Sequence, residues 1–379
     1  MSKTVFTATN FGFAPERTAR RNAVESAVAG IFERYCYNEV SLPVYEYYDV
    51  LKTITRNFSD DNIISFNDRT SGKLLVLRPD FTPQVCRMVA GYHTDFPLPI
   101  RVYYRGAVFR NVNIDRGYRA EQYHIGCELY GAPELDGDTE LLLCLNACMN
   151  KVKLKNFRVA LGDGAYLSRV FELLGENADS YAPILAGKQM HLLKDYLKEC
   201  RLEPELKDLI TRLPLLFGGI NELSALETLS GFDPILKKRC AYIRELFTRL
   251  TGMGMEESKL VFDPGEMSGL DYYTGVRFEA LHTETGALLA GGGRYDSLMH
   301  KFRIEYTACG MAFYLSEIES LAETEIDGAL IDWIVVGSEN LAKAEELRGK
   351  GFTVAHLFDK NELQNFTTNV KAKNIFGDR

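Results

Sequence analysis

The chain has 379 residues, 46% of them hydrophobic and 25% charged, with a formal net charge of −8 and a pI of about 5.5. Such a composition predicts a substantial buried core, in two domains or in one large domain with insertions. The acidic balance and the absence of any basic run argue against broad electrostatic attraction to nucleic acid.

The opening MSKTVFTATNFGFAPERTARR lacks the apolar core of a signal peptide, and no apolar run approaches a membrane span, so a soluble, cytoplasmic protein is expected. From Pro15 to Tyr37 the apolar residues Ala23, Val24, Ala27, Ile31 and Phe32 recur at three- and four-residue spacing, which predicts a helix. NEVSLPVYEYYDVL reads as extended, with Pro43 suiting a strand end or edge. Between Ile63 and Leu77 the turn residues Asn67, Asp68, Ser71 and Gly72 separate two apolar runs, a hairpin pattern. LLVL then delivers RPDFTPQVCRMVAGY to the start of a helix. IRVYYRGAVFR and YHIGCELYG alternate as strands joined by a polar loop, and antiparallel pairing is expected.

FRVALGDGAYLSRVFELLG predicts strand, turn and helix, with Asp163 as N-cap, Leu167, Val170, Phe171 and Leu174 on one face, and Gly175 as the stop. Helical pattern continues to about Gly252, an inserted segment at about 165–255. Strands resume with KLVFDPG and VRFEALHTETGALLAGGGRYD, followed by TACGMAFYLSEIESL, which reads as helical. An acidic linker, AETEIDG, leads to a very small α/β tail over 330–379 that reads strand, helix, strand, helix and a closing NIFG. Eight scattered cysteines without a CxxC pair, and six dispersed histidines, predict reduced buried thiols and no metal site. Cys144 and Cys148, at helical spacing, read as core.

LRPDFT (Leu77 to Thr82), FRNVNIDRGYRAEQYHIGCE (Phe109 to Glu128), SGLDYYTG (Ser268 to Gly275) and AGGGRYDSL (Ala290 to Leu298) occur in this order. Together they resemble the core of the histidyl-tRNA synthetase family, over about Phe13 to Leu321. The resemblance implies an α+β fold over residues 1–325: a class II aminoacyl-tRNA synthetase-like antiparallel sheet flanked by helices, with the helical insertion. Residues 330–379 would be a shortened C-terminal α/β remnant. The ligand would lie on the sheet's face. On that pattern Asp80 receives the amino group of histidine, with Thr82 beside it, and Arg110 matches the arginine that holds the carboxylate and, in the synthetases, the activated phosphate. Glu128 and Tyr273 read the imidazole, Tyr272 joins them from the same motif, and Tyr295 is a candidate for the pocket lining. His124 stands where the family has glutamine, which reshapes the amino-group contact. The chemistry suits the ligand: a carboxylate accepts an imidazole N–H, a phenol serves the other nitrogen, and arginine offers a fixed fork to a carboxylate.

The departures from the family are as informative. Ser268 replaces the arginine that meets phosphate during adenylation, Glu317 replaces the third-motif arginine that clamps ATP, and Val112 replaces an acidic adenine contact. Adenylate formation depends on prepositioned positive groups, and the C-terminal segment is shorter than the family's anticodon-reading domain. The resemblance is therefore to the ATP phosphoribosyltransferase regulatory-subunit family, paralogues of the synthetases. It implies a non-catalytic protein without cofactors that binds L-histidine as feedback effector. It also implies self-association and assembly with the short-form catalytic subunit, commonly as a hetero-octamer. An active histidyl-tRNA synthetase is the alternative, and a cation reaching the place beside Ser268 from elsewhere in the fold would favour it. Plainer roles stand beside these. Asp80 can cap the helix that follows it, Glu128 can be an ordinary ion-pair partner, Arg110 can be structural, and the glycines of GGGRYD can permit a bulge.

Overall fold

Pro15, at the first helical position, needs no N–H partner there and opens α1 (Pro15–Arg34), which buries Val24, Val28, Ile31 and Phe32 and closes with Arg34 in its last turn. The computed structural model describes residues 14–54, 60–112, 119–267, 273–323, 331–369 and 372–377. It divides into two units, Met1–Thr324 and Glu325–Arg379.

In chain order the first unit continues with β1 (Asn38–Glu39), β2 (Tyr45–Tyr47), α2 (Tyr48–Ile54), β3 (Ser65–Asn67), β4 (Leu74–Leu77), α3 (Thr82–Tyr92), β5 (Ile100–Phe109), β6 (Glu121–Tyr130), α4 (Glu134–Lys151) and β7 (Phe157–Asp163). The helical segment follows: α5 (Gly164–Leu174), α6 (Ala178–Ala186), α7 (Met190–Glu199), α8 (Pro204–Arg212), α9 (Ile220–Leu229) and α10 (Pro234–Gly252). The unit closes with β8 (Leu260–Phe262), β9 (Val276–His282), β10 (Leu288–Arg294), α11 (Asp296–His300), β11 (Ala308–Tyr314) and α12 (Leu315–Leu321). Eight of these strands form one sheet in the order β1-β5-β6-β11-β10-β9-β7-β8.

The centre of that sheet is antiparallel, whereas the pairs β1–β5 and β7–β8 at its two ends are parallel. The sheet is therefore mixed, not wholly antiparallel. Parallel neighbours need a long crossover, and the helical segment is the crossover between β7 and β8. A second sheet, β2-β4-β3, carries the expected hairpin, whose turn is tied by Asp68 accepting from the amides of Thr70 and Ser71.

Two local readings change. The extended reading of NEVSLPVYEYYDVL ends at Tyr47, because α2 starts at Tyr48 and drops Leu51 onto Ile63 and Val76. TACGMAFYLSEIESL is a strand before it is a helix. Its apolar run cannot be assigned by periodicity alone, but Ala308 to Tyr314 pair with β6 on one side and Cys309 to Phe313 with β10 on the other.

Alternation along the strands separates two faces. Ile125, Cys127 and Leu129 of β6, with Cys309, Met311 and Phe313 of β11, point into the large core under α1, α4 and the helical segment. Tyr104 of β5 and Tyr295 point the other way, into a smaller cluster with Phe81, Val85 and Met299. Helix α5 begins as its sequence requires: Asp163 is the N-cap and accepts from the amide of Tyr166 at 2.8 Å, and Gly175 ends it at φ 55°. Cys144 and Cys148 lie in the core, all eight thiols are free, and Cys36 alone is exposed. Among the described residues no cluster fit for a metal ion occurs, and no helix is long and apolar enough to cross a membrane.

The second unit comprises β12 (Ile331–Val336), α13 (Leu341–Gly349), β13 (Val354–Leu357), α14 (Glu362–Asn369) and β14 (Ala372–Phe376). Its three strands are parallel, in the order β13-β12-β14. Ile334, Val336 and Leu357 pack on one face, and Val335, Ala344 and Leu347 on the other.

Candidate ligand site on the sheet face

Residues two apart on a strand share a face, and on β6 this rule puts His124, Gly126 and Glu128 on the side away from the main core. The pairing Gly310↔Glu128, Gly293↔Gly310 and Arg277↔Gly293 carries that face across β11 and β10 to β9. Glycine is required at Gly310, since a Cβ there would run into the carboxyl of Glu128 and the hydroxyl of Tyr295. The floor stays low, and over it lies a cavity of about 340 Å³, within the usual range for small-molecule sites.

One wall of the cavity is Asp80 and Thr82 at the start of α3, with Tyr104 from β5. Arg110, just after β5, and His124 form the next wall. Tyr273 and Tyr295 also line it, Tyr314 stands against His124, and Arg277 and Glu279 of β9 form the far end from β5. Of the residues singled out from sequence, Asp80, Thr82, Arg110, His124, Tyr273 and Tyr295 come together here. Tyr272, Asp271 and Ser268 fall outside the described residues. Glu317 does not reach the cavity; it is on the exposed side of α12.

Glu128 differs from the expectation of a direct reader. It is fully buried one layer behind the cavity wall, accepting from Thr82 Oγ1 at 2.7 Å and from the Tyr295 hydroxyl, and those two residues stand in the wall in its place. Burial is the main cause that pushes its carboxyl up to about 8, with the charge of Asp80 adding, while the bonds from Tyr295 and Thr82 act in the opposite sense. Asp80 lines the cavity and its Oδ1 accepts the amide of Phe81 at 2.7 Å; it is not the cap of α3, since the residue at the N-cap is Phe81, which makes no side-chain cap bond. Burial raises the Asp80 carboxyl, and Arg110 offsets part of the rise. Arg110 also has a structural bond, from Nε to the Pro79 carbonyl at 3.1 Å.

His124 packs edge-on against Tyr314, with ring centroids 4.8 Å apart. Burial first, then Arg110 and Arg78, push the imidazole down to about 3, so it is neutral at physiological pH. Its Nε2 is buried with no hydrogen-bond partner among the described residues. Such an atom costs free energy until a ligand satisfies it.

Sequence reading missed Tyr104, Arg277, Glu279 and Tyr314. Arg277 is a cation that reaches the far end of the cavity, and its guanidinium is clamped between Glu266 at 2.8 Å and Glu279 at 3.1 Å. The signal was present in VRFEALH: two charges two residues apart in an apolar strand mark one polar face turned inward. Tyr104 and Tyr314 give no comparable signal, since tyrosine is ordinary in strands.

The sequence profile of the histidyl-tRNA synthetase family matches residues 11–318. An ATP phosphoribosyltransferase regulatory subunit of Moorella thermoacetica is 30% identical over 347 residues, covering 90% of this chain and 88% of that protein. The protein of the same name from Syntrophotalea carbinolica is 28% identical over 365 residues, covering 93% and 84%. In fold, the chain is similar to an ATP phosphoribosyltransferase regulatory subunit/histidyl-tRNA synthetase of Bacillus halodurans, with a TM-score of 0.84 at 23% identity over 97% of this chain and 96% of that one. It is also similar to the histidyl-tRNA synthetase of Nostoc sp. PCC 7120, with a TM-score of 0.77 at 18% identity, covering 96% and 88%.

Proposed function

The chain belongs to the histidyl-tRNA synthetase family, within its group of ATP phosphoribosyltransferase regulatory subunits, and we propose that it binds free L-histidine as a feedback effector without activating it. Asp80 receives the α-ammonium group and Arg110 the carboxylate. The hydroxyls of Thr82, Tyr273 and Tyr295 face the imidazole, and Glu128 orients two of them from behind. His124 Nε2 finds its partner on the ligand, and Tyr272, next to Tyr273 in the sequence, is a further ligand residue. A carboxyl raised to about 8 holds its proton at pH 7, so the floor under the ring is uncharged and suits a neutral imidazole.

The single observation that carries the non-catalytic reading is the far end of the cavity. The described cations lining the cavity are Arg110 and Arg277, and Arg277, the one at this end, is already held by two carboxylates. A transferring phosphoryl group needs positive groups aimed at it, and this end offers at least as much negative charge as positive. The protein would then act through the short-form ATP phosphoribosyltransferase catalytic subunit, activating it in a mixed assembly and passing on histidine inhibition. The physical basis is linkage: an effector shifts an assembly only by its differential affinity for two arrangements.

Calorimetry with L-histidine, paired with histidine-dependent ATP–pyrophosphate exchange, tests the reading. Binding without exchange is expected, and exchange well above background would show a working synthetase. Tyr273→Phe should weaken histidine by about tenfold, the worth of one buried hydrogen bond. In the mixed complex that variant should lose inhibition by histidine and keep activation of the partner.

A further inference from the structure

No described residue of α5 to α10 lines the cavity, yet α10 is linked, through Asp163 and through Asp138, to both backbone stretches that present its tyrosines. The first stretch is Tyr273 to Gly275, leading into β9. The Gly275 carbonyl accepts from the amide of Gly164 at 2.8 Å, and a Cβ on Gly164 would collide with the carbonyl of Tyr273. Gly164 opens α5 behind its N-cap, Asp163, which is almost wholly buried. The other oxygen of Asp163, Oδ2, accepts from both Arg239 Nε at 3.0 Å and Nη2 at 2.6 Å, two charge-assisted bonds converging on one acceptor.

The second stretch is Arg294 to Asp296, which carries Tyr295. The amide of Thr274 donates to the Arg294 carbonyl at 2.7 Å, and the amide of Asp296 donates to Thr274 Oγ1 at 2.9 Å, so the two stretches are stitched together. The Arg294 side chain passes to the other face of the sheet and donates from Nη2 to Asp138 Oδ1 on α4 at 2.6 Å. Asp138 Oδ2 accepts the hydroxyl of Tyr242 at 2.6 Å. Tyr242 is three residues after Arg239, one turn along α10, with the Arg239 guanidinium 4.4 Å from its ring centre. Two side chains on one face of one helix therefore terminate both chains of bonds. Buried charge pairs of this kind resist being pulled apart, because a partner left alone keeps its desolvation cost.

We propose that Arg239 and Tyr242 are positioning residues for the ligand cavity, holding the backbone behind Tyr273 and Tyr295 so that ligand binding and the seating of α10 are linked. The linkage is reciprocal: a ligand that tightens the tyrosines tightens α10 by the same free energy. The proposal rests on the histidine reading only for its choice of ligand.

Amide hydrogen exchange on the full chain tests it, in the wild type, Tyr242→Phe, Arg239→Lys and a control, Arg244→Gln. Arg244 pairs with Glu227 on the neighbouring α9, so its loss loosens α10 without touching either chain of bonds. Without ligand, the amides of Thr274 and Asp296 should exchange about three- to tenfold faster in Tyr242→Phe. The amide of Gly164 should do so in Arg239→Lys, because lysine keeps the charge and loses the fork. With saturating L-histidine, amides around Arg239 to Ile243 should slow in the wild type and in Arg244→Gln, and not in the other two. Unchanged amides in both variants, or equal changes in the control, overturn the proposal. If the wild type fails to bind histidine in calorimetry, the effector reading fails, and the exchange rates without ligand still decide the positioning role.

Discussion

Replacing Glu128 with glutamine removes a buried ionisable group while keeping its size, and the outcome should depend on pH. The folded carboxyl titrates near 8 against an ordinary 4.5. Its value is raised, so the folded state holds a proton that the unfolded chain has already released. The stability this contributes is fully present below pH 4.5 and is lost as pH rises through 8. Each unit corresponds to about 1.36 kcal/mol, so between pH 6 and pH 9 the wild type should lose about 3 kcal/mol from this group. Glutamine cannot ionise and should show none of that loss. Burial raises the neighbouring thiols Cys86, Cys127 and Cys309, but both proteins carry them, so their share of the pH dependence largely cancels in the comparison.

Urea unfolding of both proteins at pH 6, 7.5 and 9 reads the difference directly. At pH 6, Glu128→Gln should cost at most about 1 kcal/mol, the price of rearranged bonds to Thr82 and Tyr295. By pH 9 the variant should be the more stable of the two, by about 2 kcal/mol. A difference that stays constant within about 0.5 kcal/mol across the range would mean that Glu128 is ionised throughout, and the uncharged-floor argument would fail with it.

Gly310→Ala places a methyl group against Glu128 and Tyr295; overpacking should cost about 1–3 kcal/mol in thermal unfolding and abolish histidine binding in calorimetry. Asp163→Ala removes the α5 cap and one of the two carboxylates on Arg239, which should cost about 3–5 kcal/mol in urea unfolding. Asp163→Asn keeps the acceptor for Tyr166 and should recover roughly the 1 kcal/mol due to the cap. Arg277→Met leaves Glu266 and Glu279 without their shared cation and should cost about 3 kcal/mol, more at pH 8 than at pH 4, where carboxylates begin to protonate.

Local chemistry was readable along the chain. The spacing in α1, the turn residues of the β3–β4 hairpin, the alternation in β5 and β6, and the cap and stop of α5 each need only a few neighbouring residues to express themselves. Motif order was readable too: Asp80, Thr82, Arg110, His124, Tyr273 and Tyr295 stand far apart in the chain and share one cavity.

Depth and adjacency were not readable. Glu128 sits a layer behind the wall because Thr82 and Tyr295 arrive from α3 and the turn before α11 to cover it, and neither arrival is encoded near residue 128. Ala308 to Tyr314 became a strand because two neighbours supply hydrogen bonds on both sides, a partnership that outweighs what an isolated apolar run prefers. Arg277, Tyr104 and Tyr314 gain their place in the cavity from the order of strands across the sheet. Periodicity is a property of a short stretch of chain, whereas contact between strands depends on closing long loops and on close packing that leaves room for one arrangement.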